Sequence, residues 1–249
     1  MDTIFIDTNS IRNNKASSFF GNIKEYQKLS KQVQIIIPTI VIEEIKKQKR
    51  KFLKSQFDKF KSNYFSEYIG LDEKAFNDFN NHIDTKIEEL YSKANNEFSH
   101  IELDLEEKDN LRKIKGLAID NIAPFDTNTD KGFKDTYIYL TVLQYQKTAS
   151  DGVFIITKDD RLKQAFKNND ITVLESADSY YIYYRDEYFV SDYFIGVLRE
   201  YLGSDTISSD DIMDVSINED SDWIVEVDFD SEAIYLLVDF YSKEIIDTL

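Results

Sequence analysis

With 249 residues, 42% of them hydrophobic and 14% aromatic, the chain is too apolar for disorder and fits one large domain or an ordinary domain with a smaller companion. The absence of Cys excludes disulfides, thiolate zinc sites and thiol nucleophiles, and a reducing, cytoplasmic location is expected. A net charge of −17 argues against nonspecific nucleic-acid binding over the whole surface, so any nucleic-acid site must be local.

Thr3 to Ile6 reads as a short buried strand ending at Asp7, and Gln34 to Ile37 as a second, closed by Pro38. Thr39 is placed to N-cap a long helix in which Val41, Ile45, Gln48 and Phe52 form the apolar stripe. Residues 53 to about 116 read as a polar helical insertion of two or three helices. Its aromatic stripe, Phe57, Phe60, Tyr64, Phe65 and Tyr68, is expected to pack between them, base stacking being the other use for such rings. His82 and His100 fall in this insertion and are expected to be solvated. Val153 to Thr157 and Ile171 to Leu174 are two further strands. Strands alternating with helices imply an α/β fold with a parallel sheet covered on both faces.

From about Ala177 to Leu202 a Tyr-rich helix is expected. After it, alternating Trp223, Val225, Val227, Phe229 and Ile234, Leu236, Val238, Phe240 predict an antiparallel hairpin with one buried face. The expected division is therefore an α/β domain over 1–177 and an α+β domain over 178–249. Neither a signal peptide nor a membrane span is expected, because the longest apolar run, Ile35 to Ile42, is interrupted by Pro38 and Thr39.

Four carboxylates stand out. Asp7 ends the first strand, and carboxyl ends of parallel strands are where α/β sheets place ligands. On the helix after Pro38, 100° per residue sets Glu44 about 70° from the centre of the apolar stripe and Glu43 nearly opposite. Glu44 thus borders the core, where a charge needs a partner or a metal. Asp135 heads a stripe continued by Ile138, Val142 and Tyr145; a helix-start carboxylate favoured by the macrodipole is the other reading. Asp159 follows the third strand, and the neighbouring Asp160 is assigned the N-cap of the helix beginning near Arg161. Asn9 is either an N-cap or a group that orients Asp7. Two strand ends and two helix starts converge on one edge of a parallel sheet, where four negative charges repel. A divalent cation relieves that repulsion, and an all-oxygen donor set suits Mg²⁺ or Mn²⁺.

The segments Phe5-Ile6-Asp7-Thr8-Asn9, Val41-Ile42-Glu43-Glu44-Ile45, Gly132-Phe133-Lys134-Asp135 and Ile156-Thr157-Lys158-Asp159 resemble, in order and spacing, the four acidic motifs of PIN-domain nucleases with a long helical insertion. The resemblance covers about residues 3 to 175. It implies a phosphodiesterase that cleaves internally in nucleic acid, RNA favoured over DNA, by water activated on Mg²⁺ or Mn²⁺. Carried over, Asp7, Glu44, Asp135 and Asp159 are metal ligands and catalytic residues, with Asn9 and Thr157 in support. Many relatives carry another acid where this chain has Arg161, a departure that bears on a second metal and not on the first. The alternative is a noncatalytic PIN-like module that binds RNA or protein. A phosphatase is disfavoured because Asn9 stands where its second Asp is needed.

Residues 1–61 carry 13 Lys/Arg against 6 Asp/Glu, whereas residues 176–249 carry 3 against 19. The basic run after Glu44, with Lys46, Lys47, Arg50 and Lys54 as the expected phosphate contacts, leads away from the proposed scissile bond. The acidic C-terminal region is the candidate surface for a homo-oligomer or a protein partner.

Overall fold

The computed structural model describes residues 1–13, 17–61, 68, 73–106, 108–125, 132–218, 222–239 and 242–249. Two compact units divide it, Met1–Glu175 and Ser176–Leu249.

In the first unit the order is β1 (Thr3–Ile6), α1 (Thr8–Ile11), α2 (Ile23–Leu29), β2 (Gln34–Pro38), α3 (Thr39–Lys61), α4 (Glu73–Ala94), β3 (Ser99–Ile101), α5 (Lys108–Ile119), α6 (Phe133–Gln146), β4 (Val153–Ile156), α7 (Asp160–Phe166) and β5 (Thr172–Leu174). The strands form one sheet in the order β3-β2-β1-β4-β5, and every pairing is parallel. Every residue of β1 and β4 is buried, as a sheet covered on both faces requires of its central strands. The chain moves from β1 to β2 on one side and reaches β4 on the other, so the carboxyl ends of β1 and β4 flank a topological switch point.

The insertion is not wholly helical. Ser99–Ile101 pairs with Ile36–Pro38 and extends the sheet, and His100 therefore lies on a half-buried strand, with Nε2 3.3 Å from the Asn95 carbonyl. Ser-His-Ile has no apolar run to announce a strand; pairing with the free edge of β2 makes it one. Of the aromatic stripe, Phe57 is buried against Phe76 and Phe79, with centroids at 5.4 and 4.5 Å, while Phe60 and Tyr68 are exposed. Tyr64 and Phe65 lie outside the described residues.

Thr39 begins α3, but its hydroxyl donates to the Ile101 carbonyl at 3.1 Å, tying the helix to β3 instead of capping it. The buried stripe is Val41, Ile42, Ile45, Lys49 and Phe57, rotated from the expected one because Lys49 turns inward; Gln48 and Phe52 are only half-buried.

In the second unit, α8 (Asp178–Tyr184), a π-turn (Arg185–Phe189) and α9 (Asp192–Leu202) precede an antiparallel sheet of β6 (Ile212–Ile217), β7 (Trp223–Phe229), β8 (Glu232–Val238) and β9 (Ile245–Thr248). The single helix expected over 177–202 is interrupted because Ser191 is extended and its hydroxyl accepts from the Phe194 amide, starting a new helix. The expected hairpin is β7–β8, turning through Asp230 and Ser231, both at positive φ; Phe240 lies outside the described residues. Trp223, Val225, Val227, Leu236 and Val238 form its buried face, with Tyr184 and Phe189 packed 5.3 Å from the Trp223 ring. Among the described residues no helix is long and apolar enough to cross a membrane.

Gly132 immediately precedes α6 at φ 120°, and a Cβ there would meet the Pro124 carbonyl oxygen at 2.5 Å and Phe125 Cα at 2.6 Å. Gly132→Ala is therefore expected to destabilise by about 1–3 kcal/mol. Gly116, within α5, has nothing within 4 Å of such a Cβ, and Gly116→Ala is expected to stabilise by about 0.5–1 kcal/mol. Urea midpoints of the two variants check the opposite signs.

Candidate active site

Asp7 is the first residue beyond β1, and its backbone amide donates to the Ile156 carbonyl at 3.0 Å, which fixes it against the end of β4. Its side chain is 2% exposed. Thr157, fully buried at the end of β4, donates its hydroxyl to Asp7 Oδ2 at 2.9 Å and accepts from the Asp159 amide at 3.1 Å. One hydroxyl thus links two of the expected acids.

Asn9 is not the N-cap of α1, a position that Asp7 occupies. It lies inside α1, exposed, while the adjacent Thr8 donates to Glu44 Oε2 at 2.9 Å. Glu44 also accepts from Gln48 Nε2 at 3.3 Å and forms an ion pair with Lys134 through Oε1. Its side chain is 17% exposed against 61% for Glu43, the distinction the helical phase requires. Sequence reasoning misses Thr8, Gln48 and Lys134 as partners of Glu44. Gln48 is visible as its i+4 neighbour; the other two approach through tertiary structure alone.

Asp135 lies in the first turn of α6, half-buried, on the helix that also buries Ile138 and Val142. Asp159 is itself the N-cap of α7: its Oδ1 accepts from the Arg161 amide at 3.0 Å and the Leu162 amide at 2.9 Å. This corrects the expectation that Asp160 is the cap, since the Asp160 side chain is 95% exposed. An extended backbone at residue 159, rather than 160, decides the matter. Arg161 donates from Nη1 to the Phe125 carbonyl at 3.0 Å, fastening α7 to the segment packed against Gly132.

The four acids sense one another. Burial pushes the Asp7 carboxyl up to about 6, helped by the charges of Asp135 and Asp159 and opposed by the Thr157 hydroxyl. Burial likewise raises Asp135 to about 6, with repulsion from Asp159 and Glu44 adding to it and Lys134 opposing it. Oxygen-only donors and mutually repelling, partly dehydrated carboxylates are the chemistry of a hard divalent cation site. Among the described residues, no three acid or His side chains are grouped as a metal site. Glu44 is engaged by Thr8, Gln48 and Lys134, and one oxygen of Asp159 by the helix. The acids that could hold a cation here are Asp7, Glu44, Asp135 and Asp159.

The expected phosphate contacts are not equivalent. Lys46 pairs with Glu88 at 2.9 Å and lies over the Tyr91 ring, and Arg50 pairs with Asp84, so both fasten α3 to α4. Lys47 and Lys54 are exposed, and Lys51, exposed between them, shares their face.

Because Asp7 has a raised folded-state value, the folded protein binds more protons than the unfolded chain between about pH 4 and 6. Its contribution to stability therefore falls as pH rises through that window. In the presence of chelator at neutral pH, Asp7→Asn is expected to raise stability by about 1–3 kcal/mol, an advantage that shrinks below pH 5. Melting curves across pH check the sign; a destabilised Asn variant would contradict the picture of a strained carboxylate.

A family model described as the PIN domain matches residues 4–162 of the chain. No curated protein and no solved structure matches it significantly. The match spans β1 to the first turn of α7 and takes in all four carboxylates with four of the five strands of the parallel sheet. The chain belongs to the PIN-domain family.

Proposed function

We propose that the protein is a Mg²⁺- or Mn²⁺-dependent endonuclease that hydrolyses phosphodiester bonds in RNA. PIN domains are generally nucleases that use divalent metals, and the observation that carries the reading is the set of acids at the switch point, two of them held near pKa 6. A bound cation would offset the mutual repulsion, polarise a phosphoryl oxygen and lower the pKa of a water. The chain's own residues supply the rest. Thr157 fixes Asp7 and Asp159 in one orientation, Thr8 and Gln48 hold Glu44, and Lys134 places an ammonium beside the cluster where a phosphate would arrive. RNA is favoured over DNA on family grounds.

The second reading, a noncatalytic PIN-like module for RNA or protein, draws on the engagement of Glu44 by Lys134, which a purely structural ion pair would also produce. A nuclease assay with each metal separates the two. Asp7→Asn, Glu44→Gln, Asp135→Asn and Asp159→Asn are each expected to lower the cleavage rate by at least about 100-fold, whereas Glu43→Gln and Asp160→Asn keep it within about threefold. Asn is as good an N-cap as Asp, so the Asp159 variant removes charge and leaves the helix start intact. Cleavage by wild type that survives chelation, or full activity of Asp7→Asn, refutes the metal mechanism.

The exposed face of α3 is the proposed phosphate track, made by Lys47, Lys51 and Lys54, with Lys46 and Arg50 left out because α4 engages them. Reversing Lys47, Lys51 and Lys54 to Glu is expected to weaken RNA binding and to flatten its salt dependence by roughly 0.7 per lost phosphate contact. Reversing Lys46 and Arg50 should instead loosen α3 from α4 and lower the melting temperature. Binding titrations at several salt concentrations, alongside melting curves, distinguish the two effects.

A further inference from the structure

Beyond α1 the chain doubles back on itself. The Gly21 amide donates to the Ile11 carbonyl at 2.6 Å, and the Asn13 side-chain amide donates to the Phe20 carbonyl at 2.5 Å and to the Ser18 hydroxyl at 2.9 Å. A Cβ at Gly21 would stand 2.8 Å from the Arg12 carbonyl oxygen, so only glycine lets the two limbs meet this closely. Lys49, 5% exposed on α3, donates to the Asn13 carbonyl at 3.2 Å. The loop is thereby anchored to the helix that carries Glu44 one and a half turns earlier.

This closed loop borders a cavity of about 390 Å³ whose lining includes Arg12, Asn13, Phe20, Asn22 and Lys24, with Glu25 the acid among them. Phe20 is buried and backs one wall. Arg12, Asn22 and Lys24 are exposed, and among the described residues neither cation is in an ion pair. Asn22 precedes α2 at φ 52° and its side chain caps nothing, which leaves the amide available as both donor and acceptor. Two positive heads and a bifunctional amide around a cavity of this size suit an anionic, hydrogen-bonding ligand.

The cavity has a fixed relation to the acid cluster. Helix α1 starts at Thr8, which holds Glu44, and ends against Arg12 and Asn13, which Lys49 holds. Both ends of α1 are thus clamped to α3, with Asp7 immediately before its single turn and Arg12 immediately after it.

We infer that this cavity is a subsite for a nucleotide of the substrate strand flanking the scissile bond, its phosphate taken by Arg12 and Lys24 and its base or sugar by Asn22. The inference rests on the nuclease reading and adds a second contact region across α1 from the acids, on chain segments separate from the α3 track. The guanidinium fork matches phosphate oxygens two at a time, which a lysine on an open face does not.

The test uses the full chain carrying Asp7→Asn and Asp135→Asn, so that bound RNA is not cut, with single-stranded RNA followed by fluorescence anisotropy. Adding Arg12→Ala and Lys24→Ala is expected to weaken binding by about tenfold or more and to reduce the salt slope by roughly 1.4, two phosphate contacts. Lys24→Glu alone, on an exposed position of α2, serves as a second variant whose folding is not in question and is expected to weaken binding in the same direction. In the otherwise wild-type protein, Arg12→Ala with Lys24→Ala is expected to leave unchanged any rise in melting temperature that Mn²⁺ produces, since among the described residues these side chains pair with no acid of the cluster. Affinity and salt slope equal to those of the parent in both variants, with wild type still cleaving RNA, overturn the subsite and leave the nuclease reading standing. Wild type that neither binds nor cleaves nucleic acid overturns both.

Discussion

The structure is organised around the cost of holding carboxylates close together out of water. Asp7 is nearly sealed from solvent at the end of β1, and Asp135, Asp159 and Glu44 are near enough to act on it or on one another. In a medium of effective dielectric near 20, two unit charges about 4 Å apart repel by about 4 kcal/mol, too much for a domain of ordinary stability to carry without compensation. The compensations are local and specific. Thr157 shares one hydroxyl between Asp7 and the Asp159 backbone, two amides of α7 take one oxygen of Asp159, and Lys134 neutralises Glu44. Even so, burial leaves the carboxyls of Asp7 and Asp135 raised to about 6.

The sheet serves that arrangement. A strand order with its switch between β1 and β4 opens a cleft at their carboxyl ends, and the two acids nearest the cleft come directly off those strands. The other two sit in the first turns of α3 and α6, where side chains near a helix start reach the same edge. The aromatic and ionic contacts between α3 and α4 have a different task, holding the long insertion against the sheet domain.

Legibility in the sequence depends on which interactions are local. The buried strands Thr3–Ile6 and Val153–Ile156 announce themselves as unbroken apolar runs, and helical phase alone separates Glu44 from Glu43. Elements that owe their form to a distant partner are hidden. Ser99–Ile101 is a strand because β2 has a free edge, and the break near Val190 depends on one serine rotating to cap the next helix. Strands β6 and β9 flank a hairpin whose alternation is plain, but their own short runs are not. The choice between Asp159 and Asp160 as cap turns on backbone angles that adjacent identical residues cannot reveal. The basic run on α3 is visible as composition; which lysines face solvent requires the position of α4.

Asp159 gives one of its two oxygens to the start of α7, and its charge helps to raise the Asp135 carboxyl. Two residues on, Arg161 grips the Phe125 carbonyl; Gly132, at the threshold of α6, is pressed against the Pro124 carbonyl and the Phe125 Cα, and three residues further along is Asp135. These contacts close a ring: from one carboxylate through a helix, a guanidinium and a tight glycine to another carboxylate. The starts of α6 and α7, and with them two of the acids, are thus buckled to one short stretch of backbone at Pro124 and Phe125 rather than to the strands alone.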